Sequence, residues 1–305
     1  LAFRPIAVDS KDRLVIAATA GRGARNLSRG VVLLPAVVVI VGVVLAPLFA
    51  LFIGSIIDTQ GDQGVLTTRN YVRFFSDPFF LGVLWRTYRV AAIATLICLV
   101  IGWPVAYQLS HTAGRTRLYL TLVVLVPLLI SVVVRAFGWV VILGPQGLLN
   151  NTLEALGLID APLPLLFSET AVIIGSVHTF LPLMILPIAA ALDNIDPSLL
   201  RAARNLGASP RQVFLRVLFP LSMPGVVAGS VITFGLCASA YVIPALLGGS
   251  RLKFMSTLIF QYNIVVLDWT FGGALSVILV AVTVLLVAIY SRLVERLLFR
   301  GVFQR

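Results

Sequence analysis

The chain has 305 residues, of which 59% are hydrophobic and only 11% charged. Soluble domains carry about 25% charged residues, so this composition excludes a soluble globular protein. The long apolar blocks identify an integral membrane protein, and the net charge of +11 fits basic loops on one side of a bilayer better than a nucleic-acid surface.

Residues 1–29 read as a basic cytoplasmic tail, with Arg4, Lys11, Arg13, Arg22, Arg25 and Arg29 against Asp9 and Asp12. No cleavable signal is expected, because this arginine-rich start precedes a full-length span. A six-span transmembrane domain is expected over 30–291. Its first span is about Gly30 to Ile57. A loop follows over 58–82, with a short helix at Thr67 to Phe75 and a turn at Asp77-Pro78. The second span is about Tyr88 to Leu109, kinkable at Pro104, and His111 to Arg117 is a basic turn. The third span, Leu118 to Leu143, contains Pro127. Residues 144–169 form a loop without Lys or Arg. It opens on the turn Gly144-Pro145-Gln146-Gly147 and holds a helix from Asn151 to Leu156 that Gly157 ends. The fourth span is about Thr170 to Leu192, with Pro182 and Pro187 inside it. A polar interruption over 193–222 leads to the fifth span, Met223 to Leu247. A loop over 248–271, the sixth span Gly272 to Ile289 and a basic cytoplasmic tail over 292–305 complete the chain. The cysteines, Cys98 and Cys237, lie in apolar blocks and suggest neither a disulfide nor a thiolate metal site.

Sixteen Lys and Arg fall on the side of the two termini and the 193–222 interruption, against six on the other. The positive-inside rule therefore makes both termini and that interruption cytoplasmic.

The interruption has its own organisation. Asp196-Pro197 supplies an N-cap and a proline at the first helical position. At about 100° per residue, Leu199, Ala202, Ala203 and Leu206 fall on one side and Arg201, Arg204 and Asn205 on the other. Gly207 can adopt φ > 0 and stop the helix, and Ser209-Pro210 opens a second helix toward Pro220 and Pro224. The bland reading is an interfacial helix whose arginines contact anionic lipid. The sharper reading is a docking element. Ala202-Ala203, Gly207, Val217, Phe219 and Pro220 stand at the spacings of the cytoplasmic "EAA" loop of ABC importer permeases, which this stretch resembles. Arg201 stands where that family usually has Glu. The resemblance implies that Arg201, Ala202, Ala203, Leu206, Gly207, Ala208, Ser209, Val217 and Pro220 couple the chain to an ATPase.

Catalytic sets are sparse. There is no G-x-x-x-x-G-K-[ST], since the lysines Lys11 and Lys253 follow Ser10 and Leu252. The chain is therefore expected not to be an enzyme and to bind no cofactor, with ATP and Mg held by partner chains. Arg135 is the strong charge at membrane depth, a candidate for the solute pathway or for snorkelling toward the outer face. His178 is a candidate cavity residue or a packed hydrogen bonder. Trp139, Ser239, Tyr241 and Trp269 complete the candidate pathway set.

Arg135-Ala-Phe-Gly-Trp139, Gly147 and Asn150-Asn151 resemble the signature of the spermidine/putrescine group of ABC permeases. Tyr241-Val-Ile-Pro244, Leu247-Gly-Gly249, Met255-Ser-Thr-Leu258, Asp268-Trp269 and Gly272 resemble the same group. The likeness spans most of 118–296. It implies an all-α, six-span ABC type I importer (MetI-like) fold in a bacterial inner membrane. It also implies two ATPase subunits, a periplasmic binding protein and a second permease, more in keeping with a heterodimer than a homodimer. A polyamine substrate is the expectation. The alternative is a zwitterionic or anionic solute, because the spans hold no internal Asp or Glu and Arg135 facing a pathway would repel a cation. A secondary transporter would need intramembrane ionisable groups that this sequence nearly lacks.

Overall fold

The computed structural model describes residues 39, 41–43, 45–58 and 65–299. The predicted tail over 1–29, the start of the first span and residues 300–305 lie outside them. The chain divides into one unit of residues 1–53 and another of 54–305. In the first, the described residues are helical, and those from Val41 on belong to an apolar helix, α1 (Val41–Ile56), shorter than the later spans.

The second unit holds the last residues of α1, then an antiparallel pair of two-residue strands, β1 (Ile57–Asp58) and β2 (Val65–Leu66). Helix α2 (Arg69–Ser76) follows where a short helix is predicted. Asp77-Pro78, expected to be a turn, is instead the start of α3 (Pro78–His111). The Asp77 carboxylate accepts a bond from Phe79 N at 2.8 Å, and Pro78 takes the first position, which needs no N–H. The second span therefore begins well before Tyr88, and at 34 residues it is roughly 50 Å long.

The third span is not continuous. It consists of α4 (Gly114–Leu129) and α5 (Val132–Leu143), separated by extended backbone at Ile130 and Ser131. The run Ile130-Ser131-Val132-Val133-Val134 is poor in helix formers, which lowers the cost of a break. Together α4 and α5 run antiparallel to α7 (Glu169–Asp193): Arg117 pairs with Asp193 at one end, and Trp139 bonds His178 nearer the other. The fifth span breaks in the same manner. A helix from Pro210 to Ser239 is followed by extended backbone at Ala240 and a short α11 (Val242–Leu247). The predicted loop over 248–271 contains α12 (Met255–Phe260), and the last span, α13 (Trp269–Phe299), continues through the first residues of the expected C-terminal tail. Among the described residues, five helical stretches are long and apolar enough to cross a membrane: Pro78–His111, Val132–Ala155, Glu169–Asp193, Pro210–Ser239 and Trp269–Val294.

The core lies where α3, α7 and α10 (Phe219–Ser239) pack on one another, with Cys98, Ala106, Met184, Ile188 and Val226 buried. A second cluster of Phe74, Phe80, Phe271 and Leu275 joins α2, α3 and α13. A third of Leu143, Val172, Ile243 and Leu247 joins α5, α7 and α11. At the end of the bundle where α7 begins, the Glu169 carboxylate accepts bonds from Arg86, at 3.1 Å, and Arg89, while Arg86 also donates to Lys253 O at 3.2 Å.

The loop after α5 is organised by one buried amide. Asn150, on α6 (Leu148–Ala155), donates to Gly144 O at 3.0 Å and Leu163 O at 3.1 Å and accepts from Leu163 N at 2.9 Å. An Asn150→Leu variant removes three hydrogen bonds to the partly exposed backbone of Gly144 and Leu163, each worth about 0.5–1.5 kcal/mol. Its thermal midpoint in detergent is expected to fall by several degrees or more, and a wild-type midpoint would show that the loop does not depend on this clamp.

Candidate functional site

The two interrupted spans meet. A cavity of about 300 Å³ lies between their breaks, lined by Val132 and Arg135 of α5, Thr179 and Leu183 of α7, and Leu236, Ser239, Tyr241 and Ile243 around the end of α10. The C-terminal ends of α4 and α10 and the N-terminal ends of α5 and α11 converge there. Helix ends carry backbone groups without intrahelical partners, so breaks inside apolar spans place polar groups at membrane depth without ionised side chains. One such group, Ala240 O, accepts a bond from Ser256 Oγ at 2.6 Å.

Arg135 faces this cavity rather than the outer loops. Its Nη1 donates to Thr179 O at 3.5 Å, and its Nε is buried without a partner among the described residues. It occupies the first turn of α5, where the helix dipole does not favour a cation. Ser239 Oγ donates to Gly235 O at 2.9 Å, and the Tyr241 ring packs at 4.7 Å from that of Phe260. Trp139 and His178 stand beside the cavity and bind each other: Trp139 Nε1 donates to His178 Nδ1 at 3.1 Å. Trp269 is not part of this group. It opens α13 and is 69% exposed, a placement that the sequence could not distinguish because it lies next to the Asp268 cap. Thr179 is a polar cavity residue that sequence reasoning missed, along with the apolar lining of Val132, Leu183, Leu236 and Ile243. A lone threonine in an apolar span carries no signal until its neighbours are known.

The second feature is the projecting stretch between α7 and α10. Asp196 caps α8 (Pro197–Asn205), its carboxylate accepting from Ser198 N at 2.8 Å, and this bond holds its carboxyl below the usual carboxylate range. Gly207 has φ +80°. Gly207 N donates to Arg204 O at 2.9 Å and Ala208 N to Ala203 O at 3.1 Å, the paired bonds of a Schellman stop. Ser209 then opens α9 (Pro210–Val213) with a full capping box, since Ser209 Oγ accepts from Gln212 N and Gln212 Oε1 accepts from Ser209 N. Val217 lies in a π-helical turn, Phe214–Leu218, that leads into α10. Pro220 has no N–H to offer the Arg216 carbonyl, a local reason for the wider turn.

The predicted apolar stripe of α8 divides. Ala203, with Leu200 and Ala208, packs against the core around Leu192, Val213 and Leu218. Leu199, Ala202 and Leu206 face outward, Leu206 with 88% of its surface exposed. Exposed leucines on a short helix outside the spans form an uncovered apolar surface of the kind that docks a protein.

Interrupted spans around a cavity, with a glycine-stopped helix projecting from one end, define a multi-pass membrane permease. The pattern described as the binding-protein-dependent transport system inner membrane component matches residues 98–302, and the chain belongs to that family. It is 37% identical over 227 residues to the spermidine/putrescine transport system permease protein PotB of Haemophilus influenzae, covering 74% of this chain and 79% of that protein. To PotB of Escherichia coli K12 it is 35% identical over 246 residues, covering 79% of this chain and 89% of the relative. In fold it is similar to a chain of a bacterial ABC transporter involved in the import of the acidic polysaccharide alginate. That likeness has a TM-score of 0.74 at 19% identity and covers 92% of this chain and 99% of the other.

Proposed function

We propose that this chain is one of two permease subunits passing a polyamine across the inner membrane, with ATP and Mg bound on two partner ATPase subunits and solute delivered by a periplasmic binding protein. The observation that carries the substrate is the 37% identity, over 74% of the chain, to a permease named for spermidine and putrescine. The cavity is compatible with it: carbonyl-bearing ends of α4 and α10 and the aromatic face of Tyr241 suit an ammonium group. The second permease is a homologue rather than another copy. Both termini and the 193–222 stretch face the cytoplasm, where sixteen of the basic residues gather. The exposed side of α8 seats in a groove of an ATPase subunit, and closure of the ATPase pair drives the spans between inward- and outward-open states.

A second reading, a solute carrying an anionic group, rests on Arg135, whose Nε is unpartnered at the cavity. One experiment decides between them. ATPase activity of the assembled complex is measured in lipid nanodiscs with its binding protein, comparing putrescine and spermidine with amino acids and an aminophosphonate. Stimulation by the polyamines alone is expected, and Arg135→Gln should then retain it. Stimulation by the aminophosphonate or an amino acid alone, lost in Arg135→Gln, would replace polyamine by a zwitterion.

A further inference from the structure

The projecting helix has a second side, opposite its exposed leucines. At about 100° per residue, Pro197, Leu200, Arg201 and Arg204 share one arc of α8, and Leu199, Ala202 and Leu206 lie across from it. That arc borders an open cavity of about 570 Å³, lined also by His111 at the end of α3, Arg117 near the start of α4 and Asp193 at the end of α7. Arg117 and Asp193 are bonded to each other at 2.5 Å, which cancels their charges. Among the described residues, Arg201 and Arg204 have no ion-pair partner. Asp196, the N-cap of α8, accepts from the Ser198 N–H and interacts with Arg201 through its charge, but it does not line the cavity. The cavity is therefore polar and electropositive: its lining holds three arginines, Arg117, Arg201 and Arg204, against one carboxylate, Asp193, which is taken up by Arg117.

We infer that this cavity is a binding site for a phosphate-bearing anion, held by Arg201 and Arg204 between the coupling helix and the ends of α3, α4 and α7. Its depth favours the phosphate of an anionic lipid headgroup. The apolar runs of α3 and α7 stop at His111 and Asp193, so the cavity opens where the spans leave the bilayer. Basic pockets between span ends on the cytoplasmic side suit such headgroups, and free phosphate offers the same chemistry. Arg201 is central to this. A glutamate at that position, as in the pattern this stretch resembles, would put a carboxylate at the cavity rim and repel the anion. The consequence is lipid-dependent positioning of α8: an anion bridging it to three spans stiffens the element that receives the ATPase stroke. The site itself stands apart from the substrate reading and rests on the docking reading only for this consequence.

The test is native mass spectrometry of the complex extracted with its companion subunits. Cardiolipin, phosphatidylglycerol, phosphatidylcholine and inorganic phosphate are titrated separately against wild type, Arg201→Gln/Arg204→Gln and Arg201→Lys/Arg204→Lys. The wild type is expected to retain an anionic lipid roughly tenfold more tightly than phosphatidylcholine. The Gln pair should lose that preference and the Lys pair should keep most of it. Displacement of the lipid by inorganic phosphate at millimolar concentration would keep the anion site and make its source soluble. Equal anion binding by wild type and the Gln pair overturns the inference. So does loss of ATPase subunits from the Gln pair without any change in lipid retention, because the arginines would then serve a partner's acidic groove. Lipid retention is read without transport, so failure here leaves the substrate and docking readings intact.

Discussion

Gly207→Val is expected to uncouple the transporter, lowering solute uptake by about tenfold or more while leaving the chain in the membrane. Gly207 holds φ +80° and supplies the N–H that closes the Schellman stop on Arg204 O. A Cβ built at this position meets nothing within 4 Å, so the effect is not a clash. It is backbone strain: the left-handed region costs an ordinary L residue roughly 1–2 kcal/mol, and a β-branched one more. Such a cost is small against the whole fold but comparable to the few contacts, of Leu200, Ala203 and Ala208, that seat α8 on the core. When α8 leaves its orientation, Leu199, Ala202 and Leu206 no longer present one surface. Gly207→Asn, which tolerates φ > 0, should retain most uptake. The measurement is solute uptake in vesicles together with co-purification of the ATPase subunits. Wild-type values for both in the valine variant would show that the elbow's angle is not what transmits force.

The other large effect is expected at Gly225, and it concerns folding rather than coupling. Gly225 lies in the first half of α10 where that helix presses on α7. A Cβ there would sit against the Pro187 carbonyl oxygen, 2.7 Å from Ala191 Cβ and 2.9 Å from Ile188 Cα. Those are mostly backbone atoms and cannot rotate away, so the two helices must separate. Separation opens the contacts of Met184, Ile188 and Val226 in the central core. Small residues at helix crossings in membranes permit this close approach, which dispersion then rewards. Overpacking a well-packed core costs about 1–3 kcal/mol, and contact with backbone places this site at the upper end. Gly225→Val should therefore yield little monodisperse protein on size exclusion, and Gly225→Ala a reduced thermal midpoint. Normal yield and midpoint for both would mean that α7 and α10 tolerate a wider spacing.

What was legible beforehand was local. The Asp196-Pro197 and Ser209-Pro210 starts and the stops at Gly157 and Gly207 each depend on a residue and its neighbours within a turn, and all four appear where the residues place them. Hydropathy likewise located the apolar blocks, because each must be long enough to cross the bilayer. The same locality misread Asp77-Pro78. A cap and a turn share the same dipeptide, and what selected the cap was the packing of Phe80 and Val83 against Phe74 and Phe271 in the next turn of α3.

The amino-acid sequence by itself determined the class of molecule, the apolar blocks that form the spans and the presence of a glycine elbow. Tertiary structure decided where the third and fifth spans break, that Arg135, Thr179, Ser239 and Tyr241 share a cavity while Trp269 stands apart, and which side of α8 is buried. The reason lies in how each is stabilised. A helix break within an apolar segment leaves hydropathy unchanged, and it becomes affordable only when a distant group such as Ser256 Oγ meets the freed Ala240 carbonyl. The orientation of α8 follows from the position of Leu192, Val213 and Leu218, which its own periodicity does not contain.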